Sequence, residues 1–546
     1  METLEEQFKN MHLLNRDERL KLLSKIDIIR PEILKPFFPG RWLWKRCNLK
    51  VLVVTDGGLD FGTGAFGLSE FLTTFNELQR STWYNYQITL GHRNPTPFSN
   101  PNPLVVNTIP SFNFVSSVTL ANFDQVWLFG INSGSGLPSN ELVAVETYMN
   151  NGGGLFATGD HGTLGSALCS NIPRVKDMRH WADFGANEVG MTQARRNDTN
   201  RPKAGDATSL YFDNQSDNIP QNISVKIFGT GLPHPLLSIK KSIRPSGLID
   251  IMPDHPHEGE CKPETSFTVN GVTVATQNIA TSHVLGGSTT GGGGKALTIP
   301  HSFSSIAVWD GRLAKVGRIV VDSTWHHFVN VNLNGSESYF NGDDIPGLQS
   351  GLTTADFKVI RQYYMNIALW ITRNKAFLCL RRYVWYYLLK DSQLIEASLN
   401  YPIEKRENIS IADLNSIGAL AEEILSEKYS PAFARDFLIE ALELVNPNLA
   451  SKLNIWKPDN LEEIRKKEDK YYQPWVNLDF MLHTAIGAGF IALRDDKFIS
   501  DENATEKNLD SIIDVFNKGV QFGFDKSVQN LGTSINSLTN ELNIRL

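Results

Sequence analysis

The chain has 546 residues, a length that calls for two or three domains. Hydrophobic residues make up 41% and charged residues 20%, the balance of a globular protein with a sizeable core. The net charge of -7 offers no basic footprint for a nucleic-acid backbone, and no run of about 18 uncharged apolar residues is present to span a membrane.

Residues 1–46 alternate charged and apolar positions at helical spacing, with no apolar leader core, and end in the aromatic lead-in PFFPGRWLW. KVLVVTDGG is a β-branched apolar run closing on Asp56 and two glycines, the pattern of a buried parallel strand and its C-terminal turn. The helical segment FGLSEFLTTFNEL follows, then strands in YNYQITLG and FDQVWLFG. ELVAVETYMNNGGG reads as an amphipathic helix with a glycine stop, and GLFATGDHG as a further strand with a tight turn. This alternation predicts a doubly wound, mainly parallel sheet in an α/β domain over 47–345.

Residues 171–300 are rich in Asn, Asp, Pro and Gly and read as a long irregular insertion. Their GGSTTGGGG tract reads as a loop. SSIAVWDG and GRIVVDSTWHHF supply two late strands to complete the sheet. From 353 to 546 apolar residues recur at three- and four-residue spacing, as in ADFKVIRQYYMNIALWITR, which predicts an all-α C-terminal domain. That domain is expected to serve as a lid, or as a surface for a protein partner or a homo-oligomer. Four widely spaced cysteines, with no CxxC pair, suggest reduced thiols and a cytoplasmic setting.

In an open parallel sheet, ligands bind beyond the carboxyl ends of the strands. The polar residues placed there are Asp56, Asp160, His161, Asp310 and Asp322, with His326 and His327 close behind. One carboxylate at a strand end is commonly a turn-former or helix cap. Asp-His at one strand end beside Asp-x-x-x-His-His at another points to chemistry instead. DHPHEGEC adds His255 and His257, which in an extended segment face the same way, and Glu258. Histidines with carboxylates suit a divalent metal ion such as zinc, holding a water for attack. On this reading His161, His255, His257, Asp322 and His327 are metal ligands, while Asp160, Glu258 and His326 move protons. Asp56, Arg174, Arg179 and Trp181 grip a small-molecule or glycan-like substrate, since an arginine fork beside an aromatic plane holds carboxylates and sugar rings. GTGAFG at 62–67 matches GxGxxG, but five residues separate it from the strand end and no acid closes the second strand. Its glycines read as an active-site loop rather than a nucleotide fingerprint.

The order VLVVTDGG, FDQVWLFG, helix, GGGLFATGDHG and late GRIVVDSTWHHF resembles the class I glutamine-amidotransferase-like superfold, in its trehalose-utilisation-like branch. The resemblance spans about 47–175 and 303–335. It implies a nucleophile elbow after GLFATG and a histidine near His326 or His327. The elbow here reads Gly159-Asp160-His161-Gly162, with no cysteine, and Cys169 comes too late to fill the place. Glutamine hydrolysis by a thiol is therefore not expected. Two functions follow from the residues: a metal-dependent hydrolase of an amide, ester or glycosidic bond, or a non-catalytic ligand-sensing or scaffold protein on the same fold.

Overall fold

The computed structural model describes most of residues 47–541. Residues 1–46, 182–196, 198–200, 212–219, 254–258, 291–298, 336–350, 401–407, 458–476, 496–508 and 542–546, with several other short stretches, lie outside the described residues. Two compact units are present, one built on 47–378 and the other on 379–457 and 467–546.

The first unit is organised by a nine-stranded sheet. In chain order its elements are β1 (Cys47–Thr55), α1 (Ser69–Ser81), β2 (Tyr84–His92), β3 (Val105–Ile109), β4 (Gln125–Phe129), α2 (Ser139–Asn150) and β5 (Gly154–Thr158). β6 (Ser224–Val225), β7 (Gln277–Val284), β8 (His301–Trp309), β9 (Ile319–Asp322) and helix α3 (Thr354–Trp370) follow. The strand order is β3-β2-β1-β4-β5-β9-β8-β7-β6. The first six strands are mutually parallel, and β8, β7 and β6 extend the sheet in antiparallel fashion. β4, β5 and β9 are buried at every position, as expected of strands covered on both faces.

The mainly parallel sheet agrees with the sequence pattern, but three strands, β3, β6 and β7, were not legible in it. β3 is half-exposed and carries no apolar run. β7 lies within 171–300, so part of the region read as irregular belongs to the sheet itself. The helix ADFKVIRQYYMNIALW, read as the opening of the helical domain, packs instead in the sheet unit. Gln125 Nε2 donates to the Ala368 carbonyl at 2.7 Å, and Asn366 Nδ2 lies 2.8 Å from the Ser238 carbonyl. Buried polar groups on α3 thus find their partners among residues of the α/β unit.

The second unit contains α4 (Ser392–Leu399), α5 (Ile411–Lys428), α6 (Pro431–Glu443), α7 (Leu478–Asp495) and α8 (Leu509–Glu541). Glycines let its helix backbones touch: a Cβ on Gly418 would stand 1.9 Å from the His483 carbonyl, and one on Gly519 would stand 2.5 Å from the Ala488 carbonyl. Among the described residues no helix is long and apolar enough to cross a membrane. Cys169 and Cys261 are buried free thiols, whereas Cys47 and Cys379 are disulfide-bonded, so the four cysteines are not all reduced as their spacing suggested.

His234 shows how burial writes a pH dependence into the sheet unit. Its ring is buried edge-on against Trp370, 5.0 Å between centroids, and its Nδ1 accepts from the Leu236 amide at 3.3 Å. Burial first, then the Arg318 charge, depress its pKa to about 3. An unfolded chain takes up this proton near pH 6.5, while the folded chain refuses it until about pH 3. The contribution is therefore complete above pH 6.5 and is lost as pH falls through that window, by about 1.4 kcal/mol per pH unit. Urea midpoints between pH 7 and pH 4 should fall more steeply for the wild type than for His234→Asn, which keeps an acceptor for Leu236 but cannot titrate. Equal slopes would disprove the assignment.

Candidate functional site

β5 and β9 are neighbours and run parallel, with Asp322 paired to Thr158. The two chain segments leaving their carboxyl ends, 159–165 and 323–328, therefore start side by side. After β5 the chain turns tightly: the Asp160 amide donates to the Leu164 carbonyl at 3.1 Å, and Gly165 adopts φ +92°. A Cβ on Gly165 would lie 2.6 Å from the Gly159 Cα, so the turn closes only with glycine there. After β9 the Thr324 hydroxyl accepts from the His326 amide at 3.0 Å and caps a short 3-10 turn over Trp325–His327.

These turns place the polar residues in one connected network. Asp160 is buried, and its Oδ1 accepts from the Thr324 hydroxyl at 2.8 Å. Its Oδ2 lies 2.8 Å from His161 Nδ1 and 3.6 Å from His326 Nε2. His326 stacks on Trp325, and its Nδ1 meets Asn332 Oδ1 at 2.9 Å. Asp322 is fully buried and accepts three hydrogen bonds: from the Thr324 amide at 3.1 Å, from His327 Nδ1 at 2.8 Å and from the Tyr363 hydroxyl at 2.8 Å. His327 Nε2 faces the Gln221 amide at 3.3 Å, and the Tyr364 hydroxyl donates to the His327 carbonyl. His161 is the open member of the group, with its side chain 43% exposed.

Asp160, His161, Asp322, His326 and His327 are thus brought together as the strand-end argument expects. Tyr363, Tyr364, Thr324, Asn332 and Gln221 belong to the same network and were missed. Tyrosines in an amphipathic helix read as core, and only the packing of α3 turns their hydroxyls to the site. Burial, and then the Asp322 charge, push the Tyr363 phenol well above its ordinary pKa, so it donates.

Other expected site residues have different surroundings. Arg179 is fully buried: its Nε and Nη2 donate to the Ser323 carbonyl, Nη1 to the His180 carbonyl and Nη2 also to the Asp160 carbonyl. Its fork ties the two strand-end segments together. Trp181 lies under that guanidinium, 4.6 Å away, and donates its indole N–H to the Val175 carbonyl at 3.1 Å. Arg174 stacks over Trp309 at 5.3 Å. Trp309 pairs with Ile319, at the start of β9, so Arg174 stands at the opposite end of the sheet from Asp322. Asp310 stands there too, since β8 is antiparallel, and binds Arg318 Nε at 2.9 Å. Burial alone would raise the Asp310 carboxyl, but the Arg318 and Arg312 charges hold it below its ordinary value.

Asp56 stands between β1 and β4, where the strand order reverses. Its Oδ2 accepts from the amides of Ile131 and Asn132, both at 2.6 Å, and burial outweighs these bonds to raise its pKa. The carboxylate occupies the paired N–H groups that would otherwise receive an anionic ligand. Asn330 treats the GTGAFG loop similarly. Its Nδ2 donates to the Gly62 and Gly64 carbonyls at 3.0 and 2.9 Å, and its Oδ1 accepts from the Glu70 amide at 3.0 Å. The loop is pinned and the first turn of α1 is capped, an arrangement that suits packing rather than a phosphate cradle.

His255, His257 and Glu258 lie outside the described residues. Their described neighbours border the network: the Pro253 carbonyl accepts from Gln221 Nε2 at 3.4 Å, and a Cβ on Gly259 would stand 2.6 Å from the Ser323 carbonyl. Among the described residues no group of three or more His, Cys, Asp or Glu forms a metal-holding cluster. Cys169 offers no nucleophile, because burial and then the Asp56 charge push its thiol far above the ordinary range.

The second unit holds a polar cluster that its sequence did not announce. Glu422 accepts from Arg435 Nε at 3.0 Å and meets His483 Nε2 at 2.5 Å, and Arg435 also donates to Asp479. Burial raises Glu422, but the His483 and Arg435 partners outweigh it and hold the carboxyl below its usual value. Three helices supply these groups, at spacings too long to read as a motif.

No protein-family model matches the chain, and no curated protein matches it. Chemistry must therefore be read from the geometry. Two substitutions separate anchoring from exposure. Tyr363→Phe removes a hydrogen bond to a buried carboxylate and should cost about 1.5–3 kcal/mol in chemical denaturation. Asp322→Ala strands three donors and should cost more, about 3–5 kcal/mol. A loss below 0.5 kcal/mol (roughly the scatter for surface positions) in both would show that Asp322 anchors nothing.

Proposed function

We propose that the protein is a hydrolase of an amide, ester or glycosidic bond, acting at the C-terminal strand ends, with His161 as its general base. One observation carries this reading: a 43% exposed imidazole whose Nδ1 is held at 2.8 Å by a buried carboxylate. Asp160 fixes the tautomer in which Nδ1 carries the proton, so Nε2 is the basic nitrogen, and it stabilises the imidazolium formed when that nitrogen takes a proton. Thr324 and His326 hold the carboxylate in turn. In the step envisaged, Nε2 takes a proton from water, the water oxygen bonds to the electrophilic carbon, and the bond from that carbon to the leaving group breaks as the imidazolium gives the leaving atom its proton.

The same geometry suits a metal ligand, because ligating histidines give their second nitrogen to a carboxylate. His161 and Asp160 fit that role. Asp322 and His327 do not, since the Asp322 oxygens and both His327 nitrogens are engaged within the buried network. A divalent ion held by His161 would polarise the attacking water. On this reading the sheet is of the amidotransferase-like type without its thiol.

A second reading, a ligand-sensing or scaffold protein, draws support from the burial of Asp322, His326 and His327. Purified protein assayed against activated esters, anilides and aryl glycosides distinguishes the two. The expected result is turnover of one bond class, with kcat/KM reduced about 10²–10⁴-fold in His161→Ala. The urea midpoint should stay near that of the wild type because the ring is exposed. Elemental analysis run alongside should show a stoichiometric metal lost in His161→Ala if the ion-bound form operates. Wild-type turnover undiminished in His161→Ala would remove His161 from the chemistry, and no turnover of any bond class would leave the scaffold reading.

A further inference from the structure

The last helix is longer than the helices it packs on. α7 and α8 run antiparallel: a Cβ on Gly519 would touch the Ala488 carbonyl, and one on Gly523 the Thr484 carbonyl. That register reaches Leu478, the first residue of α7, opposite about residue 529. Lys526 Nζ meanwhile donates to the Ile409 carbonyl, just before the start of α5. Residues 530–541 of α8 therefore run past the N-terminal ends of both α5 and α7, by about 18 Å at 1.5 Å per residue. Among the described residues this overhang is the exposed part of the helix, with Val528 45% and Ile535 39% exposed.

Its apolar residues follow a heptad. Phe524, Val528, Leu531, Ile535 and Leu538 are spaced four, three, four and three apart. This 3.5-residue period makes the narrow seam of a coiled coil, not the wider stripe of a helix lying on a globular core. Valine and isoleucine alternate with leucine so that the β-branched residues take the a positions and leucines the d positions. β-branched residues at a with leucine at d favour two parallel strands. The flanking positions between 529 and 540 are Gln, Asn, Gly, Thr and Ser, without a charge. Two copies of the same helix can then approach side by side without like-charge repulsion, whereas a different charged partner would find nothing to pair with.

We propose that the projecting end of α8 forms a parallel two-stranded coiled coil with the same segment of a second copy of this chain. Residues 528 and 535 of one copy then face their own counterparts across the seam.

Sedimentation of the full chain over a micromolar concentration range tests the association, and cysteine crosslinking tests its direction. The wild type should sediment at twice the monomer mass. Ile535→Asp should shift the equilibrium at least tenfold toward monomer, while Thr533→Asp, on the outer face, should not. Helical circular dichroism and the urea midpoint of both variants confirm that each is folded. Val528→Cys, near one end of the seam, should oxidise to a covalent dimer through its own counterpart, as an in-register parallel pair requires and an antiparallel pair centred near 535 forbids. A wild type that stays monomeric, or a dimer indifferent to Ile535→Asp, overturns the proposal. So does a pair that crosslinks only between Val528→Cys and a cysteine placed near 541, the antiparallel outcome.

Discussion

The parallel ladder between β5 and β9 is the constraint on which the candidate site rests. It pairs Leu155 with Ile319 and Thr158 with Asp322, joining segments about 160 residues apart in the chain. Parallel strands end at the same edge, so whatever follows each strand shares one space. Asp160 and Asp322 are placed by that pairing, and everything around them is arranged to hold two carboxylates out of water.

Each carboxylate is satisfied differently, and the difference assigns their roles. Asp322 accepts from an amide, an imidazole and a phenol, and α3 supplies the phenol. Such a group fastens helix α3 to the sheet. Asp160 accepts from Thr324 and turns its other oxygen toward two imidazoles, one of them open to solvent. Arg179 contributes a third tie through main-chain oxygens on both strand-end segments. Its guanidinium is buried against Trp181, and burial lowers its pKa against the pull of the nearby acidic groups. The arginine is a clamp on the backbone that presents the site.

The second unit solves the packing problem by other means. Glycines on α5, α7 and α8 let three helices approach closely, and a partly buried polar cluster of Glu422, Arg435, Asp479 and His483 ties α5, α6 and α7 together. Neither feature needs long sequence runs. The result is a helical body from which α8 projects, carrying an apolar seam with no charge beside it.

The amino-acid sequence by itself determined the class of the first unit, because strands buried on both faces must be continuous apolar runs. VLVVT, QVWLF, GLFAT and IVVD are such runs. It also determined which polar residues stand at strand ends, and hence Asp160, His161, Asp322, His326 and His327 as one group. Tertiary structure alone decided the rest. Asp310 follows an apolar strand just as Asp322 does, yet β8 runs antiparallel and carries it to the far edge; strand direction leaves no mark in local sequence. Arg179 and Trp181 look like a substrate grip in one dimension, but the guanidinium is spent on carbonyls 19 and 144 residues away. Tyr363 reaches the site only because its helix docks against it, and docking depends on the shape of both surfaces. The sheet obeys a local pattern of burial, whereas the choice between a ligand and a structural clamp depends on partners distant in the chain.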